Sequence, residues 1–202
     1  VIAVWNRNDW CDANYNPIKS QAGNPFYNYR KMMILNTSEP GGERYLDSSA
    51  GWKDCPYPTR KDAKYVIYGK SNGGLSDPSR GAYIIATDGK TPPRNLNVGA
   101  ERDVICTQYN PATDEEFFYV MGAGQKAIYR IPLKSDYTAD LSRKTQVIFQ
   151  SEFSGGSGQA DYAFSVSADG TKAGCALPWP DTRIVDIPTK KVYDRHAGAF
   201  GC

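Results

Sequence analysis

Short strand-length apolar segments bounded by turn residues run along this chain, and Ala160–Val166 alternates apolar and polar residues with the two-residue period of a strand. No window of about eleven residues carries the wider stripe of an amphipathic helix. The pattern is clearest toward the carboxyl end. Ala160–Val166 reads as a strand, Ser167-Ala168-Asp169-Gly170-Thr171 as a hairpin turn, and Lys172–Leu177 as a second strand. A Pro178-Trp179-Pro180-Asp181 loop then leads to a third strand, Thr182–Ile187, and Pro188-Thr189-Lys190 turns into a fourth, Lys191–Tyr193. The Asp-Gly pair supplies the positive backbone angles of a tight reversal.

The same layout recurs upstream. Strands are predicted over Asp103–Tyr109, Glu116–Met121, Ala127–Ile131 and Thr145–Phe149. A further set covers Asp54–Pro58, Lys64–Tyr68, Ala82–Thr87 and Arg94–Val98, with a loop over Lys70–Arg80. At the amino end Val1–Trp5 and Lys31–Asn36 read as the second and third strands of a unit whose first is missing. Asp136–Lys144 admits at most a short helical turn. The turn aspartates Asp62, Asp114 and Asp169 stand 52 and 55 residues apart. Four strands per period of about 40–55 residues define a β-propeller blade.

The expected fold is therefore all-β, a β-propeller of four-stranded antiparallel blades near 1–50, 51–100, 101–151 and 152–202. Ser165 through Lys172, followed by Thr182 through Val192, resembles the TolB-like and WD-like propeller repeat. That phrase is a serine-rich strand, an Asp-Gly turn, a strand, then an apolar strand ending in Asp before a Thr-Lys turn. The middle units keep the layout but put Lys61-Asp62-Ala63 and Thr113-Asp114-Glu115 at the turn. The resemblance implies a scaffold, since such propellers serve as receptors, peptidase accessory domains, lyases and assembly factors. Opening inside a second strand reads as a piece of a longer propeller, the remainder of which would then be a partner. In the alternative, a four-blade ring, Ala197–Cys202 supplies the missing strand.

Composition sharpens this picture. Aromatics (14 Tyr, 7 Phe, 4 Trp) and turn-formers (19 Gly, 13 Pro) are abundant, and Asp outnumbers Glu by 16 to 6, as turns and caps prefer. The 24 Lys and Arg nearly cancel 22 Asp and Glu, which argues against a nucleic-acid partner. No apolar run is long enough to span a bilayer.

Candidate chemistry concentrates in the loop joining second to third strands of the first unit, about 25 residues from Asn6 to Arg30. It holds Asn6, Arg7, Asp9, Trp10, Asp12, Asn14, Tyr15, Tyr27, Tyr29 and Arg30. Loops this long are functional when they are ordered, and aromatics argue against disorder. Aromatic rings stack on sugar C–H faces while Asn, Asp and Arg pair with hydroxyls, and Tyr, Trp and Arg equally anchor protein partners. A purely structural role, covering an apolar rim, is the third alternative. Trp179, Asp181 and Arg183 flank the equivalent loop of the last unit, with Trp179 either a stacking platform or a wedge between blades.

The remaining candidates are thinner. Asp9 and Asp12 with Asn14 and Asn16 alternate oxygen ligands as a calcium loop does, but lack its glycine and closing Glu. His196 is the single histidine, which excludes a His-rich metal site, and no cofactor is expected. The cysteines 11, 55, 106, 175 and 202 form no C-x-x-C; three fall in predicted strands as small core residues, and Cys11 is the candidate for a disulfide. Nothing resembles a nucleophile elbow or phosphate loop, and Ser154–Gly158 reads as a linker. The reading favoured is a binding module for a glycan or protein partner, in a periplasmic or extracellular setting that the resemblance implies. The competing reading is a propeller glycosidase or polysaccharide lyase drawing on Asp9, Asp12, Tyr27, Tyr29, Asp181 and Arg183.

Overall fold

Strands in a computed structural model of the chain fall on the apolar segments between the turn signals. The structure describes residues 2–8, 30–38, 41–49, 51–71, 78–99, 103–122, 127–148, 164–176 and 182–196. The chain divides into two compact units, Val1–Pro58 with Asp62–Asn97, and Thr59–Lys61 with Val98–Cys202.

The first unit holds two antiparallel sheets. In one, β1 (Ile2–Asn8), β2 (Arg30–Asn36) and β3 (Glu43–Asp47) pair in chain order. In the other, β4 (Trp52–Pro58), β5 (Tyr65–Ser71), β6 (Gly81–Ala86) and β7 (Arg94–Asn95) do the same. Met32, Ile34 and Leu46 pack with Val66, Tyr68 and Ile85 into one core, and Ile2 and Val4 close over it. β5 is buried from Val66 to Ser71, which explains its unbroken Val-Ile-Tyr run: a strand covered on both faces has no polar side to show.

The second unit repeats the four-stranded sheet twice. β8 (Asp103–Asn110), β9 (Glu115–Met121), β10 (Ile128–Pro132) and β11 (Thr145–Ile148) form one; β12 (Ser165–Val166), β13 (Lys172–Ala176), β14 (Thr182–Asp186) and β15 (Val192–His196) form the other. Ile105, Tyr119, Ile128 and Ile148 meet Phe164, Ala173 and Val185 in its core, with the Tyr119 and Phe164 rings 5.4 Å apart.

The repeat phrase has a physical explanation in the last sheet. The Ser167 and Lys172 backbones close the hairpin (Ser167 N to Lys172 O, 2.9 Å), while the Asp169 carboxylate accepts from the Ser167 and Thr171 hydroxyls and the Thr171 amide. Gly170 takes φ +71°, which a side chain would strain. Asp186 ends β14 as an acceptor for the Thr189 amide and hydroxyl and for Lys172 Nζ, and those bonds draw its carboxyl down to about 2. The serine, two aspartates and threonine of the motif are thus turn-closing groups.

Several boundaries differ from expectation. β5 extends to Ser71, so Lys70, expected in a loop, is a buried strand residue. The strand predicted over Arg94–Val98 stops at Asn95, because the Asn95 side chain accepts from the Asn97 amide and Asn97 turns to φ +55°, taking the backbone out of the ladder. The helical turn near Asp136–Lys144 is a three-residue 3-10 turn, Leu141–Arg143. β3 lacks a sequence signal because, of its apolar side chains, Leu46 is buried while Tyr45 faces solvent. Cys55 and Cys106 are free thiols at register shifts in β4 and β8, and burial pushes the Cys106 thiol up to about 11. Cys175 lies in β13, while Cys11 and Cys202 lie outside the described residues. No helix among the described residues is long and apolar enough to cross a membrane.

Candidate functional site

In the first unit, one end of the sheets gathers the connections that the sequence singles out. The β1–β2 hairpin ends in an Asn8–Arg30 pair, so the long loop leaves from there. Asp47, at the end of β3, pairs with Met32 at the start of β2, and Trp52 and Lys53, opening β4, pair with Ser71 and Lys70, closing β5. The chain direction alternates from strand to strand, so second-to-third loops and sheet-to-sheet connections share an end.

Asp47 is the centre of this end. It is only 4% exposed. Its carboxylate accepts from Tyr68 OH at 2.7 Å, Lys70 Nζ at 3.2 Å, and the Ser49 amide and hydroxyl at 2.9 and 2.5 Å. Lys53, fully buried, lies 3.9 Å from it and donates to the Ser49 carbonyl. Lys70 Nζ also reaches Ser49 Oγ at 2.8 Å and lies 5.7 Å from the Tyr83 ring centroid.

The electrostatics follow from burial. Burial alone would raise the Asp47 carboxyl, but the bonds from Ser49 and Tyr68 and the Lys53 charge outweigh it and hold it below its ordinary value. Burial drives the Lys53 ammonium down to about 8; Asp47 pulls the other way, and the Lys70 and Lys31 charges add to the fall. Tyr68 is pushed up by burial and by the neighbouring Asp47 charge, so it stays a neutral donor. Among the described residues, Lys53 and Lys70 pair with the Asp47 carboxylate and the Lys31 charge acts on Lys53, so cations outnumber the carboxylate in this cluster.

Among the residues expected from sequence, Asn6, Arg7 and Arg30 are brought together at this end: Asn6 pairs with Met32, Arg7 with Lys31 and Arg30 with Asn8. Asp9, Trp10, Asp12, Asn14, Tyr15, Tyr27, Tyr29, Trp179 and Asp181, and with them the calcium-like pattern, lie outside the described residues. Arg183 belongs to the second unit, in β14 opposite Cys175 and Arg195, and its Nε is buried without a hydrogen-bond partner among the described residues. His196 closes β15. Sequence reasoning missed Asp47, Lys53, Tyr68 and Lys70. The readable signal was weak: a lysine at each of two paired strand ends, whose opposition only the β4–β5 register reveals.

No protein-family model and no curated protein matches the sequence. Solved structures match by shape. An oligogalacturonate lyase in complex with manganese superposes with a TM-score of 0.58 at 11% identity, over 100% of this chain and 51% of that one. The oligogalacturonate lyase of Vibrio parahaemolyticus gives 0.57 at 12% identity, over 98% and 51%. A chain of a nidogen/laminin complex gives 0.51 at 11%, over 82% and 54%. The chain thus spans about half the length of these matches. The fold is that of a β-propeller, its described residues forming three antiparallel sheets of four strands and one of three, as the TolB-like and WD-like resemblance implies.

Proposed function

We propose that the chain is a β-propeller binding module whose ligand is an acidic glycan, held at the loop end of the first unit. The observation that carries this reading is the pairing of Lys53 and Lys70 with the carboxylate of Asp47, and the Lys31 charge that acts on Lys53 beside them. A polyanion is the ligand such a potential attracts. The loop from Asn6 to Arg30, with Trp10, Tyr15, Tyr27 and Tyr29 in its sequence, has the residues to stack on sugar rings. The fold likeness to proteins named for oligogalacturonate, an acidic glycan, adds support. An exported setting suits such a ligand. Binding fits better than catalysis because Lys53, the one lysine here among the described residues with a strongly lowered pKa, is buried and already bonded to the Ser49 carbonyl.

The test is calorimetric titration with oligogalacturonate and with a neutral galactan, alongside an absorbance assay for unsaturated product. Oligogalacturonate is expected to bind more weakly as salt rises, the galactan not to bind, and Lys31→Ala to weaken binding about fivefold, the ~1 kcal/mol scale of a half-exposed charge contact. Equal binding of the neutral glycan, or of neither, sinks the reading. Unsaturated product would make the chain a lyase.

A further inference from the structure

In the first unit, β2 runs from Arg30, at the loop end, to Asn36, where the chain turns into β3. Its seven residues, at about 3.3 Å for each step, set this turn roughly 20 Å from the loop end. Asn36 stands opposite Ile2 of β1, and its amide donates to the Gly42 carbonyl at 3.1 Å, which closes the β2–β3 hairpin.

The turn opens with Asn36-Thr37-Ser38. Of the 11 asparagines in the chain, Asn36 is the one with a Ser or Thr two positions further on. Asn-x-Ser, with x other than proline, is the acceptor pattern for N-linked sugar, and a group of that bulk is tolerated at a surface turn. The structure meets that condition. Thr37 and Ser38 are exposed. A side chain added at Gly41, further round the same turn, would meet nothing within 4 Å, so this tip projects into open space.

The Asn36 carboxamide is also oriented. The Ser38 amide donates to Asn36 Oδ1 at 3.1 Å. Only the oxygen of a carboxamide accepts, so Oδ1 is the branch folded over the turn and Nδ2 is the branch pointing away from the Ser38 amide. Asn is favoured at such a place because this bond substitutes for a backbone turn. The same bond keeps the acceptor side chain and the residue bearing the required hydroxyl in one compact, exposed turn.

We propose that Asn36 is an acceptor for an N-linked oligosaccharide. Transfer joins Nδ2 to C1 of the first sugar and breaks the bond from C1 to the oxygen of a lipid-linked pyrophosphate donor. The carboxamide proton that is displaced ends on the departing pyrophosphate. Such donors belong to the secretory route, so modification of the native chain rests on the exported setting proposed above. The sugar would stand clear of Asp47 and the loop end.

Expression of the full chain behind a cleaved secretory leader in a eukaryotic host tests it. Secreted and retained protein are compared by gel mobility before and after peptide-N-glycosidase, and by peptide mass spectrometry. One glycosidase-sensitive shift is expected, with the sugar on Asn36. Asn36→Gln and Ser38→Ala are expected to lose it entirely, and Ser38→Thr to keep it. Ser38→Ala retains the backbone amide that holds Oδ1, so its loss of sugar reports the missing hydroxyl and not an opened turn. The proposal is overturned if the parent chain carries no sugar, if the sugar sits on another residue, or if Ser38→Ala is modified like the parent. Because the leader imposes export, a negative result counts against the acceptor itself and leaves the acidic-glycan reading to its own titration.

Discussion

Replacing Lys53 by methionine isolates the charge that burial makes most costly. The folded state sheds the Lys53 proton near pH 8, whereas an unfolded chain holds it to about 10.5. Between those values the unfolded state binds more protons, so stability rises with pH across that window and gains nothing further above it. The full span, 2.5 pH units at about 1.4 kcal/mol each, is on the order of 3 kcal/mol. Between pH 7 and pH 9 the expected gain is about 1 kcal/mol.

The measurement is urea unfolding of the parent and Lys53→Met at half-unit steps from pH 7 to 9, followed by intrinsic fluorescence. Stopping at pH 9 matters. The Cys106 thiol, raised by burial to about 11, favours the folded state less as pH climbs from 9 toward 11, and Tyr68 is raised as well. Both groups are present in both proteins, so the parent-minus-variant difference removes their common part. That difference is expected to grow in the parent's favour by about 1 kcal/mol. A flat difference, or one that shrinks as pH rises, would refute the claim that Lys53 sits as a cation in a desolvated, lysine-crowded environment.

Two further substitutions test how the second unit is held together. Glu116→Ala leaves the Arg60 and Lys61 amides without their acceptor and is expected to cost about 2–4 kcal/mol in urea unfolding, against under 1 if those amides find water. Gly170→Ala forces a side chain into a left-handed turn with Gln108 and Arg130 side-chain atoms 3.1–3.3 Å from the new carbon; a loss of at least about 1 kcal/mol is expected, and a neutral result would mean the turn relaxes.

Strand positions were legible wherever a segment faced one apolar core. Lys31–Asn36 and Glu116–Met121 are short runs of buried Met, Ile, Phe and Val bounded by polar turns, which length and composition rather than alternation mark as covered strands. The Asp169-Gly170 turn was equally plain, since a short polar residue before glycine is what that reversal requires. β3 and the end of β7 were not, because a lone buried Leu46 and an Asn95 side-chain bond leave no periodic trace. The candidate site divides the same way. Aromatic and Asn-rich character near the amino end is a property of composition, readable one residue at a time. The Asp47 cluster joins residues from three different strands, and an amino-acid list holds no record of which lysine opposes which. Periodicity and turn chemistry are local, so the sequence alone determined the blade and its repeat. Long-range register decided where charge is buried, because desolvation acts on a lysine only once distant strands have closed over it.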